Sequence, residues 1–313
     1  MLFLAGLAIL LPSLYWDHPV DTAAALRQAG IARILVPAAQ VDAWRKAGFT
    51  ANAFDPATAA KATAPHVEYQ MDVASATRVP WVDANGWQFI RTPSRTYFYD
   101  APAGAAAMAA AEAYAYGVQA VIQAAPEDVD SLGRMLRFLG NLDAPRLPTR
   151  ANFGIIDDGS DEMGEVMNLM ARHNLLFDVI PSPDPAYDLI VRLGAGGFTK
   201  EDIADPYAFA IRMRHQLTDD KRLVRIYGSN VVIVRLTGDS TGEQVHLLNY
   251  GKPEVKALHV RVLGSYPQHH VAVFGHPRAA LEDFSVAGGA TEFTIPELGP
   301  YAIVYLGNGQ LSR

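Results

Sequence analysis

Asn230-Val231-Val232-Ile233-Val234, Val245-His246-Leu247-Leu248-Asn249-Tyr250 and Tyr301-Ala302-Ile303-Val304-Tyr305 are the runs that decide the architecture. They are short and rich in β-branched and aromatic residues. Turn residues stand between them at Thr237-Gly238-Asp239, Tyr250-Gly251-Lys252-Pro253 and Gly288-Gly289. Strands at about ten-residue spacing with such turns predict a small antiparallel β-sandwich over residues 229–313. No helical period is expected inside residues 240–305.

Upstream the hydrophobic period changes. Leu14-Tyr15-Trp16, Ile34-Leu35-Val36, Phe49 to Phe54, His66 to Asp72 and Val118 to Ala124 read as buried strands. Helical stretches alternate with them: Asp21 to Ala29 closed by Gly30, Pro37 to Gly48, Ala101 to Gly117, and Pro126 to Leu139. Strand–helix alternation implies parallel β/α units. Residues 1–148 are too few for eight complete units, since a closed barrel needs roughly 200 residues or more. They read as a partial or degenerate (β/α) barrel or an open sheet. Residues 141–150, Asn-Leu-Asp-Ala-Pro-Arg-Leu-Pro-Thr-Arg, read as a linker. Residues 149–228 then read as a flavodoxin-like α/β domain, with strands at Phe153–Ile156, Leu176–Ile180, Leu189–Leu193 and Leu223–Tyr227. The fold class is thus α/β followed by all-β.

Half of the 313 residues are hydrophobic and 19% are charged, which suits a cored globular chain. A net charge of −7 speaks against nucleic acid as partner. With no cysteine there is neither a disulfide framework nor thiolate chemistry. Met1 to Leu11 is an apolar run of signal-peptide length, too short to span a bilayer. No Lys or Arg precedes it and no clear small-x-small cleavage site follows. Export to the periplasm or medium is the expectation; an apolar first element of a cytoplasmic protein is the alternative.

Ligands of parallel β/α folds bind at the carboxyl ends of the strands. Asp17 and His18 follow one apolar run. Asp72 ends another, with Glu68 and Gln70 on its face by strand alternation. Asp83 follows Val79-Pro80-Trp81-Val82 and Asp100 follows Thr96 to Tyr99. Two carboxyl groups about 5 Å apart suit a retaining glycosidase, and about 6.5–9.5 Å an inverting one. Asp17, Asp72 and Asp83 are therefore the candidate catalytic residues. Asp83 in Asp-Ala-Asn-Gly also suits a turn, and Asp100 before Ala-Pro suits a helix N-cap. Trp16, Trp81, Trp87 and Tyr99 offer flat rings for sugar faces, or plain packing. With His18, Glu68 and Arg91 they form the candidate substrate-binding set.

Weaker signals are set aside. Gly194-Ala195-Gly196-Gly197 lacks the third glycine of a dinucleotide fingerprint. Asp157-Asp158-Gly159-Ser160-Asp161-Glu162 fails the spacing of a calcium loop and suits a helix start. No metal and no cofactor are expected.

The domain order, with Asn152-Phe153-Gly154-Ile155-Ile156-Asp157-Asp158 opening the middle part and Val245 to Tyr250 in the last, resembles the three-domain family-42 β-galactosidases and related barrel glycosidases. The resemblance implies a carbohydrate ligand and a middle domain similar to a glutamine-amidotransferase fold without its cysteine, which helps form homo-oligomers. Members use two glutamates, one preceded by Asn. This chain has no Asn-Glu pair, and before residue 148 only Glu68, Glu112 and Glu127. No catalytic glutamate carries over. The expectation is a glycosidase-like, carbohydrate-interacting protein with hydrolysis resting on front-domain aspartates. The alternative is a non-catalytic carbohydrate-binding or assembly protein.

Overall fold

The computed structural model describes residues 10–71, 78–194 and 197–308. The chain divides into two compact units. The first comprises residues 1–68, 83–85 and 92–146; the second comprises 69–82, 86–91 and 147–313.

The first unit is built on a six-stranded sheet. In chain order its elements are β1 (Ser13–Tyr15), α1 (Ala23–Gln28), β2 (Arg33–Val36), α2 (Val41–Lys46), β3 (Thr50–Ala53) and β4 (Ala60–Ala62). The chain then makes a ribbon of β5 (His66–Met71) and β6 (Arg78–Asp83) and a short α3 (Gly86–Arg91). It returns with β7 (Thr96–Ala101), α4 (Ala106–Tyr116), β8 (Gln119–Ala124) and α5 (Val129–Gly140). The sheet order is β3-β2-β1-β8-β7-β4, and the described pairings in it are parallel. Strands successive in the sheet's chain order are neighbours, and the first lies beside the last. The exception is β3 and β4, which are the two edges.

β5 and β6 pair with each other in a separate two-stranded sheet. This differs from the expectation that His66 to Asp72 continues the parallel sheet. Its partner β6 carries Pro80, which has no N–H for a central ladder and keeps that strand out of a sheet interior.

Residues on one face of the parallel sheet, among them Leu14, Trp16, Ile34, Val36, Tyr97, Tyr99 and Ile122, are buried. Helix α4 packs against β7 and β8 on that side. Its alanines permit close approach. A methyl group on Gly133 of α5 would collide with the Ala29 carbonyl after α1. α4 ends at Gly117 in the left-handed conformation (φ 64°), where a side chain is costly. Its start has no cap of its own: Asp100 lies within β7, and the residue at the cap position is Ala105. The carboxylate of Asp128, which opens α5, serves instead. It accepts from Gly104 N at 2.9 and 2.8 Å. The expected cap at Asp100 is thus replaced by an acid from tertiary distance.

The second unit contains a three-stranded parallel sheet of order β10-β9-β11, with β9 (Phe153–Ile156), β10 (Phe177–Val179) and β11 (Leu189–Arg192). α6 (Asp161–Arg172) is capped by Ser160, and α7 (Pro206–Leu217) by Asp205 with Pro206 next. No α-helix lies between β10 and β11. The helix packed on β10 there is α3, from far earlier in the chain. Trp81, Trp87 and Ile90 join the apolar cluster around Phe153, Met167, Phe177 and Phe209.

The tail has two four-stranded antiparallel sheets. One, of order β12-β15-β18-β17, comprises β12 (Val224–Tyr227), β15 (Val255–Leu263), β17 (Glu282–Ala287) and β18 (Ala290–Leu298). The other, of order β13-β14-β19-β16, comprises β13 (Val232–Gly238), β14 (Gly242–Asn249), β16 (Gln268–Val273) and β19 (Tyr301–Gly307). Alternate residues of both sheets fill one cluster: Val234, Leu236, Val245 and Leu247 from one, Leu258, Val260, Phe293 and Ile295 from the other. No helix interrupts the described residues 240–305. The strand expected at Leu223–Tyr227 as part of the middle sheet is β12, paired antiparallel with β15. Val224, buried in the tail core, decides that side. The end of the expected linker is also structured. Arg150 N donates to Leu236 O and Gly238 N to Pro148 O, covering the outer edge of β13. No described helix is long and apolar enough to cross a membrane.

Candidate functional site

The face of the parallel sheet opposite α4 is the first place to look for chemistry. Register puts Tyr15 beside Gln123, and Gln123 beside Asp100, while Phe98 stands beside Lys61. Paired residues of parallel strands share a face. Tyr15 meets Phe54 and Phe98 edge-on, each at 5.9 Å between ring centroids. Phe54 stacks on Phe98 at 6.2 Å. Phe54 and Phe98 are partly open, and Asp17 and Asp100 are exposed. Asp17 Oδ2 accepts from Gln123 Nε2 at 3.0 Å, which places this carboxylate on the same face. Its backbone carbonyl accepts from Gln40 Nε2. Burial, then the charges of Asp17 and Asp55, push the Tyr15 phenol above its ordinary value. Tyr15 therefore stays a hydroxyl donor. The result is an aromatic floor rimmed by Asp17, Asp100, Gln123 and Lys61.

The other sequence candidates distribute differently. Trp16 is fully buried on the helix side, its indole N–H bonded to Thr22 Oγ1 at 2.9 Å and its ring against His18 at 4.4 Å. His18 Nε2 lies 3.9 Å from Asp17 Oδ1. Tyr99 is buried, its hydroxyl donating to Glu112 Oε2 at 2.7 Å. Trp81 and Trp87 belong to the second unit. The guanidinium of Arg172 lies 3.3 Å over the Trp81 ring, and Trp87 lies against Gly164 of α6. Arg91, also there, grips Asp157 with two bonds of 2.8 Å and donates to Ser160 O at 2.9 Å. The acidic stretch at the end of β9 is thus occupied by an arginine. Asp72 lies outside the described residues.

Arg91→Ala strands the half-buried Asp157 carboxylate. Charged hydrogen bonds are worth about 1.5–3 kcal/mol, so a loss of about 2 kcal/mol in urea unfolding is expected. A change within about 0.5 kcal/mol, the scatter of surface substitutions, would make the pair incidental.

Glu68 and Asp83 do come together, but around His66. His66 Nε2 lies 3.2 Å from Glu68 Oε1 and 3.2 Å from Asp83 Oδ2. Sequence reasoning singled out both acids and missed the histidine, whose position two residues before Glu68 on a strand was the available signal.

No family model matches the chain, and no curated protein matches it. Solved structures do. An α-L-fucosidase isoenzyme from Paenibacillus thiaminolyticus superposes with TM-score 0.52 at 9% identity, over 69% of this chain and 60% of that one. A rhamnosidase from Novosphingobium sp. PP1Y gives 0.44 at 11%, over 70% and 32%. A family-42 β-galactosidase from G. stearothermophilus gives 0.38 at 8%, over 79% and 53%. The chain spans less than two thirds of the length of each. The likeness to the fucosidase is one of fold.

Proposed function

We propose that the protein binds carbohydrate on the open face of its parallel sheet, without hydrolysing it. The observation that carries this reading is the Tyr15–Phe54–Phe98 floor, partly open to solvent and edged by hydrogen-bonding groups. Sugars present apolar C–H faces and a rim of hydroxyls, and such a surface answers both. The strand order, with first beside last and a gap at β3 and β4, supports a barrel-derived front domain that has stayed open. The paired tail sheets with one core support a C-terminal sandwich, and the β10-β9-β11 order supports a flavodoxin-like middle.

Hydrolysis needs two carboxyl groups at set separation, one kept protonated by burial or by an unneutralised neighbour. Asp17 is engaged by Gln123, and Asp83 and Glu68 share His66. In this reading Asp17 accepts sugar hydroxyls rather than attacking a glycosidic carbon. The test is calorimetric titration with a panel of oligosaccharides, beside an aryl-glycoside assay. Saturable binding to at least one glycan, weakened about tenfold by Phe98→Ala and by Asp17→Asn, is expected, since 1.4 kcal/mol is tenfold and one ring pair or charged hydrogen bond is worth about that. Binding unchanged in both variants removes this face from the account. Robust turnover abolished by Asp17→Asn restores the hydrolase.

A further inference from the structure

We propose that His66, Glu68 and Asp83 form a binding site for a first-row divalent cation of the Zn²⁺ type. Strand alternation puts His66 and Glu68 on one face of β5, and Asp83 closes the paired strand β6. One ligand atom from each lies within 4.8 Å of the other two.

Three features fit a metal. The first is the tautomer. His66 Nδ1 lies 2.9 Å from the Ala64 carbonyl, an acceptor, so this nitrogen carries the proton. In the neutral ring the Nε2 lone pair then faces both carboxylates. Metal-bound histidines are commonly oriented by such a backbone carbonyl. The second is spacing. Bonds of about 2.0–2.1 Å in a tetrahedron place ligand atoms about 3.3–3.4 Å apart. Both Nε2···O separations are 3.2 Å, close to that spacing and at the long end of the N–H···O range. The third is anchoring. Asn85, two residues beyond Asp83, donates to Thr63 O at 2.8 Å and accepts from Thr63 N at 2.9 Å. Its amide is in turn held by the fully buried Glu112. Both approaches to the site, from Thr63 and from Asn85, are therefore fixed before any ion arrives.

The ligand set selects the ion. Two carboxylates balance a 2+ charge, and the imidazole favours Zn²⁺ over the oxygen-seeking Ca²⁺, Mg²⁺ and Mn²⁺. Three protein ligands leave a fourth position for water or a ligand oxygen. The tail supplies a contrast. Glu254, His276 and Glu297 also converge, but Lys256 Nζ bonds both acids, at 3.0 and 2.5 Å. There the cation is already a side chain.

The experiment is calorimetric titration of the chelator-treated full chain with Zn²⁺, with Mg²⁺ and Ca²⁺ in parallel. One saturable Zn²⁺ site per chain is expected, weakened about tenfold or more by His66→Ala and by Asp83→Asn, with no saturable Mg²⁺ or Ca²⁺ heat. X-ray absorption of the loaded protein should show nitrogen and oxygen ligation. Should His66→Ala fail to fold, Glu68→Gln carries the comparison, because that side chain is 57% exposed. Absence of stoichiometric Zn²⁺ binding overturns the proposal. So does binding of equal strength in the variants, which would move the ion to other histidines.

Discussion

Glu112→Ala is expected to destabilise the first unit by about 4 kcal/mol, the sum for two buried donors left unsatisfied at about 2 kcal/mol each. Glu112 sits fully buried in the alanine-rich α4 and accepts three hydrogen bonds. Asn85 N donates to Oε1 at 2.6 Å; Asn85 Nδ2 and the Tyr99 hydroxyl donate to Oε2 at 2.9 and 2.7 Å. Burial, then the charge of Glu112, push the Tyr99 phenol well above its ordinary value, so it remains a donor. Alanine removes the acceptor and leaves donors in an apolar interior, each costing about 1–3 kcal/mol. Asn85 Nδ2 keeps Thr63 O, which tempers the sum. Thermal unfolding should drop by about 15 °C for a unit of this size. Glu112→Gln keeps the shape but turns an amide N–H toward a donor, so an intermediate loss is expected. A loss below about 1 kcal/mol for Glu112→Ala would mean that water replaces the carboxylate and that the network does not hold Asn85.

The same network marks where the sequence stops being readable. Glu112 stands in a run of alanines, and nothing local says that its partners lie at Asn85 and Tyr99. Asp100 before Ala-Pro has the local chemistry of a cap, yet α4 starts later and takes its carboxylate from Asp128. A cap supplied across the fold leaves no spacing to read. What is legible is periodicity. The strands after residue 229, the strand–helix alternation before residue 140 and the helix start at Ser160 all follow from local pattern, because burial on one face repeats at a fixed interval.

The candidate site was legible in part for the same reason. Asp17 at the end of an apolar run is a local observation, and the structure puts it beside an open aromatic face. The rings of that face, Phe54 after β3 and Phe98 on β7, meet although β2, β1 and β8 lie between their strands, a matter of how the sheet curls that sequence spacing does not encode. Trp81, Trp87 and Arg91 follow front-unit strands in sequence but pack with α6. A ribbon and a six-residue helix carry too little periodicity to announce their partner. Where β10 and β11 are joined without a helix, α3 covers the sheet, and its apolar Trp87 and Ile90 do there what a crossover helix does elsewhere.

Acid should unfold the tail through His246. This ring lies on the central strand β14, fully buried, with Nδ1 2.8 Å from the Tyr301 hydroxyl and no partner on Nε2. Burial, then the positive charge of Arg235 on the adjacent strand, lower its pKa from 6.5 to about 3. In the unfolded chain the imidazole protonates near its ordinary value. Between the two values the unfolded state binds a proton that the folded state refuses. Stability is therefore fully present above pH 6.5. Below that it falls by ~1.4 kcal/mol per pH unit, until the folded ring itself titrates near 3. Other groups contribute. Burial lowers His173, which acts in the same direction, and burial raises the Glu243 carboxyl, which acts in the opposite one. Both are common to wild type and to His246→Asn, so the difference between their urea-unfolding profiles isolates His246. That difference should be flat from pH 8 to about 7 and then change with a slope approaching ~1.4 kcal/mol per unit down to pH 4.5. Parallel profiles over the whole range would show that the buried ring accepts a proton at its ordinary pKa, and that the tail core opens readily enough to let water reach β14.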